Sequence, residues 1–344
     1  MPEMVRYGLI STAEIGFYAH VPAARTSPNS ELVAVSSRNL ATAEAAAKKH
    51  GIPLAFGSYQ EMIESDEIDA VINVLPNAMH HEWTIKAAEA GKHVICEKPF
   101  SVTMAEAREM VAAAEANNVV LIEGFTPRWN KQMRTVRQLI ADGEIGEVIH
   151  LEVGLSFTMD DDREGRPGDP RGEGSLMGFG CYGVYALRYA MGVEPVLAMG
   201  LERKRPGVGF DTTANGLLQF PNGAVGHLFC CLEGPQKGLL EVFGTGGKIT
   251  LDGVFTETPP VTVVRGEAEP EVMEMTSPDR FQVQLDEFSE CVLTGRQPEF
   301  PAEDALRNMA AILALYESID TGGAVAVEQI WPGRARLGTE IENP

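Results

Sequence analysis

The sequence predicts an α/β protein in two parts: a doubly wound parallel sheet, then an α/β domain built on a large, open, mostly antiparallel sheet. The chain has 344 residues, 44% of them hydrophobic, which is too long for one ordinary core. Short apolar runs alternate with amphipathic stretches up to about residue 125, and extended runs broken by Gly, Pro and Asn dominate afterwards. We therefore expect one domain over residues 1–125 and a second over residues 126–344.

Strand–helix alternation defines the first part. The predicted strands are Val5–Ile10, Leu32–Ser36, Ala70–Leu75, His93–Cys96 and Val119–Ile122. The predicted helices between them are Ala41–His50, Glu82–Ala90 and Met104–Asn117. Thr103 and Glu106 have the spacing of a capping box, which predicts the start of the third of these helices.

Extended segments define the second part. The predicted strands are Glu147–Phe157, Ala198–Glu202, Gly216–Phe220, Ala224–Leu232, Leu239–Phe243 and Val261–Val264. The predicted helices are Asn130–Ala141, 175–191, Gln282–Thr294 and Ala302–Ile319. Pro221-Asn222-Gly223 is typical of a hairpin turn. The polar loop Met159–Ser175 is either a lid over a site or a solvated surface loop.

Composition excludes several classes of function. The formal net charge of −21 argues against nucleic acid and anionic membranes as partners, since both need clustered cations. Five scattered cysteines without a C-x-x-C pair predict neither a disulfide framework nor a metal site. We find no apolar window long enough for a membrane helix and no secretory signal, so we expect a cytoplasmic location.

The turn after the first strand has the small residues of a dinucleotide-binding turn. Aligned on G-x-G-x-x-G, it presents Ser11, Ala13 and Gly16. Such a turn lets a pyrophosphate approach the amide groups at a helix start, but a tight turn without a ligand needs small residues too. The second strand ends in Ser37-Arg38 instead of the acid that grips ribose hydroxyls. Because a guanidinium suits a 2′-phosphate, this favours NADP(H) over NAD(H); the alternative is a surface Arg that opens a helix, which is common.

One motif is more specific than the others. Glu97-Lys98-Pro99 follows the fourth predicted strand, where open α/β sheets bind their ligands. The chain resembles the Gfo/Idh/MocA oxidoreductases in this segment and in three others: Ala90–Val94, Pro76–His80 and, in the last helix, Glu303–Asn308. The resemblance covers essentially the whole chain and implies a Rossmann domain in front of a substrate domain.

The resemblance implies roles for particular residues. It makes Lys98 a catalytic residue, which would polarise or protonate a substrate oxygen if desolvation lowers its pKa. It also implies a set of residues that surround the cofactor: Ser11, Thr12, Ala13, Ile15, Ser37, Arg38, Leu75, Pro76, Asn77, His80, Glu97, Lys98 and Arg128. We include Arg128 because it follows the strand after which the family chain crosses into the substrate domain.

Gly172–Tyr182 resembles the family segment that carries an aspartate and, four residues later, a histidine or tyrosine. Here the second position is Tyr182, which is the expected acid and base. The aspartate position is Gly178, so a carboxylate is missing. Either the chemistry continues on Lys98 and Tyr182, or the protein has changed substrate or lost hydride transfer. Tyr185 and Tyr189 are expected to pack rather than react.

The predicted function is hydride exchange between NADP(H) and a hydroxyl or carbonyl carbon of a sugar, polyol or sugar derivative. Two alternatives stay open: a non-catalytic NADP-sensing regulator, and a glycosidase-like enzyme whose nicotinamide cofactor is recycled. Because few helices are predicted to cover the second sheet, we also expect a homodimer or higher homo-oligomer that buries the open face.

Overall fold

The computed structural model describes residues 4–159, 170–254, 259–276 and 278–330, and these form two sheets with their helices. The strands are β1 (Val5–Ile10), β2 (Ser30–Ser36), β3 (Leu54–Phe56), β4 (Ala70–Asn73), β5 (His93–Glu97), β6 (Leu121–Gly124), β7 (Val148–Thr158), β8 (Leu197–Arg203), β9 (Thr213–Gln219), β10 (Val225–Cys231), β11 (Glu233–Gly244), β12 (Gly247–Asp252), β13 (Val261–Arg265), β14 (Glu271–Met273) and β15 (Val325–Ala326). The α-helices are α1 (Val21–Thr26), α2 (Leu40–His50), α3 (Tyr59–Ile63), α4 (His80–Glu89), α5 (Met104–Ala116), α6 (Lys131–Ala141), α7 (Cys181–Met191), α8 (Arg280–Thr294) and α9 (Ala302–Thr321).

The first sheet is parallel throughout, in the order β3-β2-β1-β4-β5-β6. Helices cover both of its faces, which explains why its strands are continuous apolar runs. The predicted strands and the capping box of α5 are confirmed. The sequence did not predict β3 and α3, because a strand of three residues and a helix of five leave almost no periodic pattern.

Helix α8 packs on the first sheet although it comes late in the chain. Its Leu285 and Phe288 are fully buried against the side chains of β1 and α1. The first turn of α9 also joins this domain, since Ala305 lies in the core on the sheet's other face. The two sheets are therefore connected by shared helices, and the division at residue 125 stays a prediction.

The second sheet is mixed and mostly antiparallel, in the order β14-β13-β12-β11-β7-β10-β9-β8-β15. β7 and β10 pair in parallel, and all other neighbouring pairs in the described sheet run antiparallel. The predicted hairpin at Gly223 joins β9 to β10. This combination of a parallel first sheet and an open mixed second sheet confirms the predicted fold class.

Helices cover one face of the second sheet. Leu151, Val153, Leu155 and Leu228 point into the core under α7 and α9 and are fully buried. Helix α7 lies so close to the strands that a Cβ on Gly183 would stand 2.4 Å from Leu228 Cδ1. A side chain at this position would therefore require the Leu228 side chain to shift.

The opposite face of the second sheet is exposed in the described protomer. Met199 and Leu217 face each other across β8 and β9 and are 45% and 43% exposed, and Leu201 is 70% exposed. Residues 160–169 and 331–344, which include most of the loop and tail that the sequence offers as covers, lie outside the described residues. None of the described helices is both long and apolar enough to span a membrane.

Candidate active site

The candidate site lies at the carboxyl edge of the first sheet. Strands β1, β4, β5 and β6 are neighbours in one parallel sheet, so the segments that follow them emerge on the same side. The order reverses between β1 and β4, which is where open sheets of this kind bind nucleotides. The described structure therefore brings Ser11, Leu75, Lys98 and Phe125 to one edge.

The turn after β1 has the geometry of an anion-binding turn. Ser11 adopts a φ of 92°, a conformation that is normal for glycine but strained for serine. Thr12, Ala13 and Ile15 are partly exposed along the turn. A π-helical turn, Gly16–His20, follows and runs into α1, and no side chain caps its start. The Gly16 amide donates to the Ala13 carbonyl at 3.0 Å, which tightens the turn, and a tight turn at a helix start suits a pyrophosphate.

The turn after β2 presents an exposed cation. The amide of Ser37 donates to the carbonyl of Phe56 at 3.1 Å, and the side chain of Asn39 caps α2. Arg38 is exposed and makes no hydrogen bond or ion pair with the described residues. Its guanidinium is thus available to a negatively charged ligand.

The loop after β4 is fixed by a buried histidine. Pro76 and Asn77 are partly exposed at the edge, while Leu75 and His80 are buried. The His80 Nδ1 atom lies 2.9 Å from the Pro99 carbonyl, and Nε2 lies 2.9 Å from the Leu75 carbonyl. Burial lowers the pKa of His80. The ring therefore ties the loop after β4 to the loop after β5 rather than facing the cleft.

Asn77 connects the two halves of the chain. Its Nδ2 atom donates to the carbonyl of Gly172 at 2.6 Å. Gly172 belongs to the short segment that precedes α7, so this bond holds that segment against the nucleotide-binding edge.

Glu97 has a partner that the sequence did not predict. Its Oε1 atom lies 3.0 Å from Nε2 of His20, which is completely buried and packs against Phe281 of α8. The contact joins the end of β5 to the helical turn after β1. The other oxygen of the same carboxylate, Oε2, accepts from the Lys98 amide at 3.4 Å.

Lys98 and Tyr182 meet across the junction of the two parts. Nζ of Lys98 lies 4.9 Å from the centre of the Tyr182 ring and donates to the Gly178 carbonyl at 3.0 Å. Both side chains are partly exposed, whereas the residues around them are mostly buried. The pair is therefore accessible at the carboxyl edge of the first sheet, with a cation held against a phenol.

The pair titrates at high pH. Burial raises the pKa of Tyr182 to about 12, although the Lys98 ammonium acts in the opposite direction. For Lys98, burial alone would lower the pKa, but Tyr182, Cys181 and Glu97 favour the ammonium, and the net pKa is raised. The condition that desolvation lowers the pKa of Lys98 is therefore not met. At neutral pH the site contains a protonated phenol and an ammonium.

A buried aspartate holds the segment before Tyr182. Asp211 accepts hydrogen bonds from the Ser175 hydroxyl at 2.6 Å, the Leu176 amide at 2.7 Å and the Tyr316 hydroxyl at 2.8 Å. A Cβ on Gly174 would stand 1.9 Å from Asp211 Oδ1, so glycine is required for this approach. The π-helical turn Leu176–Gly180 and α7 start from this fixed point.

Gly178 leaves open space beside the pair. A Cβ built there would have its nearest neighbour, the Gly172 carbonyl oxygen, at 3.7 Å, which is ordinary contact. Crowding at the Cβ position therefore does not explain the missing carboxylate. Lys98 bonds to the main chain at this position instead of to an acidic side chain.

Arg128 lies apart from the cleft in an ion network. It is 2% exposed and pairs with Glu123 and Asp304, both at 2.8 Å. Its direct contact with a cofactor stays a prediction. Tyr185, by contrast, is buried against Phe125 and Tyr189, as expected for a packing residue.

Sequence reasoning missed His20 and Asp211. Both are buried polar residues that lie far in sequence from the groups they hold, and neither belongs to a motif that we identified. The available signals were weak: a histidine in an apolar segment after the first turn, and an aspartate five residues before the predicted strand Gly216–Phe220. Among the described residues, no three His, Cys, Asp or Glu side chains are arranged to hold a metal ion.

Comparison with known sequences agrees with this geometry. Residues 5–125 match the profile of an oxidoreductase family with an NAD-binding Rossmann fold, and residues 133–250 match a C-terminal domain of the GFO/IDH/MocA proteins. The chain is 32% identical over 329 residues to an NADP-dependent D-xylose 1-dehydrogenase from Haloferax volcanii. That alignment covers 94% of this chain and 99% of the relative.

Two solved structures are similar over nearly the whole chain. An aldose–aldose oxidoreductase from Caulobacter crescentus superposes with a TM-score of 0.86 at 27% identity, covering 94% of this chain and 99% of the other. A 3-ketoreductase from Actinomadura kijaniata, crystallised with NADP and TDP-benzene, gives a TM-score of 0.85 at 26% identity, covering 92% and 98%. The fold and the sequence matches over both domains lead to the same conclusion: the chain belongs to the Gfo/Idh/MocA oxidoreductase family.

Proposed function

We propose that this enzyme transfers a hydride between NADP(H) and a hydroxyl or carbonyl carbon of a sugar, polyol or sugar derivative. The observation that carries the proposal is the meeting of Lys98 and Tyr182 at the carboxyl edge of a nucleotide-binding sheet. The dehydrogenase from Haloferax volcanii, which is named for D-xylose, and a relative from Actinomadura kijaniata, which is named as a reductase of a dTDP-linked didehydro-dideoxyglucose, support the substrate class.

The catalytic roles follow from the protonation states of the pair. In the reducing direction, Tyr182 would donate its phenolic proton to the carbonyl oxygen of the substrate. Lys98 would stabilise the negative charge that develops on this oxygen and on the phenol. In the oxidising direction the Tyr182 side chain, as the phenolate, would accept the hydroxyl proton of the substrate and become the phenol. NADP(H), when bound, supplies or accepts the hydride at C4 of its nicotinamide.

Structures of variants of the Actinomadura reductase support this pairing. Replacements of one lysine and of one tyrosine were crystallised with NADP and TDP-benzene. The lysine and the tyrosine replaced there are separated in sequence by the same number of residues as Lys98 and Tyr182.

The cofactor proposal rests on the residues that face the edge. Ser11, Thr12, Ala13 and Ile15 would hold the pyrophosphate with their main chain, and Arg38 with Ser37 would bind the 2′-phosphate. The remaining proposed residues would surround the nicotinamide half: Leu75, Pro76, Asn77, Glu97 and Lys98. We keep His80 and Arg128 in the set as residues that hold these loops from beneath, since both are buried.

The deciding experiment is incubation of the pure protein with NADP⁺ and a panel of aldoses and polyols. NADPH absorbance and the sugar products should be measured together. We expect NADPH to form with at least one sugar. Sugar products without net NADPH would indicate a recycled cofactor, and tight NADP binding without any product would indicate a regulator.

We also propose that a second copy of this chain covers the open face of the second sheet. Met199, Leu201 and Leu217 form an exposed apolar patch on adjacent strands, and such a patch is an aggregation hazard in a monomer. A two-fold axis would pack this face on itself, burying on the order of 2,000 Å² or more. Light scattering at micromolar concentration should give at least a dimer, and an active monomer would contradict this.

All five cysteines are free and buried, which suits the proposed cytoplasmic location.

A further inference from the structure

A buried ion network crosses the junction between the two sheets. It joins Glu123 at the end of β6, Arg128 just after it, Asp304 at the start of α9 and Arg188 on α7. Arg128 bridges Glu123 and Asp304, and Arg188 donates to the second oxygen of Asp304 at 3.0 Å. Arg188 also binds Glu194 through two hydrogen bonds, at 2.6 and 2.8 Å.

One end of the network holds the segment that carries Lys98. The Phe100 amide, two residues beyond Lys98, donates to Glu123 Oε1 at 3.1 Å. The other oxygen of this carboxylate accepts from Arg128 at 2.8 Å. The position of the loop after β5 is thus coupled to the position of the Arg128 guanidinium.

The other end holds the helix that carries Tyr182. Nη1 of Arg188 donates to the side-chain oxygen of Asn308 at 3.0 Å, and Nδ2 of Asn308 donates to the Cys181 carbonyl at 3.2 Å. Cys181 directly precedes Tyr182. Both ends of the network therefore reach the main chain within two residues of the catalytic pair.

A third connection runs through aromatic rings. The Arg128 guanidinium lies 4.9 Å from the centre of the Phe125 ring, and this ring lies 5.0 Å from the Tyr182 ring. Displacement of Arg128 would therefore change the packing against the reactive phenol itself.

Stability alone does not explain such a network. Burying ions is costly, and apolar residues of similar volume often stabilise a fold as well or better. Arg188 and Arg128 outweigh the effect of burial and lower the pKa of Asp304 to about 2, so its carboxylate is ionised at neutral pH. The directional contacts of the network are better suited to fixing geometry than to adding stability.

We propose that the Glu123–Arg128–Asp304–Arg188–Asn308 network is a positioning device that sets Lys98 and Tyr182 at their reactive separation across the domain junction. The inference rests on the proposed catalytic pair. The members of the network act through Phe100, Phe125 and Cys181, so they are positioning residues rather than catalytic ones. An error on the order of 1 Å in such a pair can cost about 100-fold in rate.

The test compares two isosteric changes that each neutralise an aspartate paired with an arginine. Asp304→Asn breaks the network. Asp69→Asn breaks the pair that Asp69 makes with Arg6 at 2.7 Å, near the amino ends of β1 and β4 and away from the site. Active enzyme is counted by NADPH binding, and kcat and the kinetic isotope effect with deuterated NADPH are measured. We expect Asp304→Asn to lower kcat about 10- to 100-fold and to raise the isotope effect, with little change for Asp69→Asn.

Further variants guard against a folding defect. Asp304→Glu retains the charge and should recover part of kcat. Asn308→Ala removes the bond to the Cys181 carbonyl without changing any charge, and should change kcat in the same direction as Asp304→Asn. An unchanged kcat per active site in Asp304→Asn and Asn308→Ala, or equal losses in Asp304→Asn and Asp69→Asn, would overturn the proposal.

A second measurement does not depend on the substrate. In protein with isotope-labelled tyrosine, the NMR signal of Tyr182 is identified by its loss in Tyr182→Phe. Asp304→Asn should shift this signal and Asp69→Asn should not. Absence of turnover in the wild type would refute the proposed function alone, whereas an unshifted Tyr182 signal would refute the positioning role.

Discussion

The two sheets differ in how they are covered, and this difference determines what each contributes. The first has helices on both faces, and its strand ends supply the nucleotide turn and Lys98. Among the described residues, the second has helices on one face only, and one of these, α7, supplies Tyr182. A reactive pair divided in this way depends on the junction between the sheets, which is where the charged network lies.

The largest expected effect is on the divided pair itself. Lys98→Ala and Tyr182→Phe should each lower turnover by about 100-fold or more, the usual scale for loss of an acid–base group. Steady-state kinetics on the sugar identified by the panel measures this, and calorimetry measures NADPH binding. Tyr182→Phe should leave NADPH affinity nearly unchanged. Wild-type turnover in Tyr182→Phe would refute its acid–base role.

The two faces of the second sheet should respond differently to the same truncation. Leu228 is fully buried beneath α7, so Leu228→Ala should lower the free energy of unfolding by about 2–5 kcal/mol. Leu217, on the neighbouring strand, is 43% exposed, and Leu217→Ala should change it by about 0.5 kcal/mol or less in a dissociated protomer. Urea denaturation at low protein concentration provides the measurement. Equal losses would mean that the outer face is covered within the protomer.

Much of the fold could be predicted, because the number of covered faces of a strand determines how its apolar residues are spaced. The doubly covered β1 and β5 are apolar runs, and the half-covered β9 alternates buried and exposed residues. Lys98 and Tyr182 lie in motifs whose residue types carry the chemistry. His20, Asp211 and the partners of Arg128 could not be predicted, because their roles arise from contacts between residues far apart in sequence.

Arg38 tests the nucleotide-binding half alone. Its guanidinium is exposed and unpaired within the described chain, so Arg38→Ala should remove a charge-assisted contact of about 1.5–3 kcal/mol to a 2′-phosphate. Calorimetry should show weaker binding of NADPH and unchanged binding of NADH, with Lys49→Ala in the same domain as the control. Equal affinities of the wild type for the two cofactors would contradict the proposed NADP preference.

The pH dependence of the reaction rates tests the protonation state assigned to Tyr182 beside Lys98. With its pKa raised to about 12, Tyr182 is protonated at neutral pH and ready to donate a proton. Reduction should therefore be nearly independent of pH between about pH 6 and 10, whereas oxidation, which needs the phenolate, should become faster as pH rises. Initial rates in both directions measure this. Because the Lys98 ammonium acts to lower this pKa, Lys98→Ala should move the rise to higher pH; an oxidation rate independent of pH would contradict the assignment.

The smallest expected effect concerns strain in the first turn. Ser11 holds a φ of 92°, which costs a non-glycine residue on the order of 1 kcal/mol or more. Ser11→Gly should relieve this strain, but glycine also gains freedom in the unfolded chain, so the net gain in the free energy of unfolding should be within about 1 kcal/mol. Ser11→Ala is the matched control, since it removes the hydroxyl and keeps the Cβ that causes the strain. Chemical denaturation should therefore rank Ser11→Gly above both the wild type and Ser11→Ala. If Ser11→Gly is the least stable of the three, the freedom that glycine gains in the unfolded chain outweighs the relief of strain, and the strain prediction is wrong.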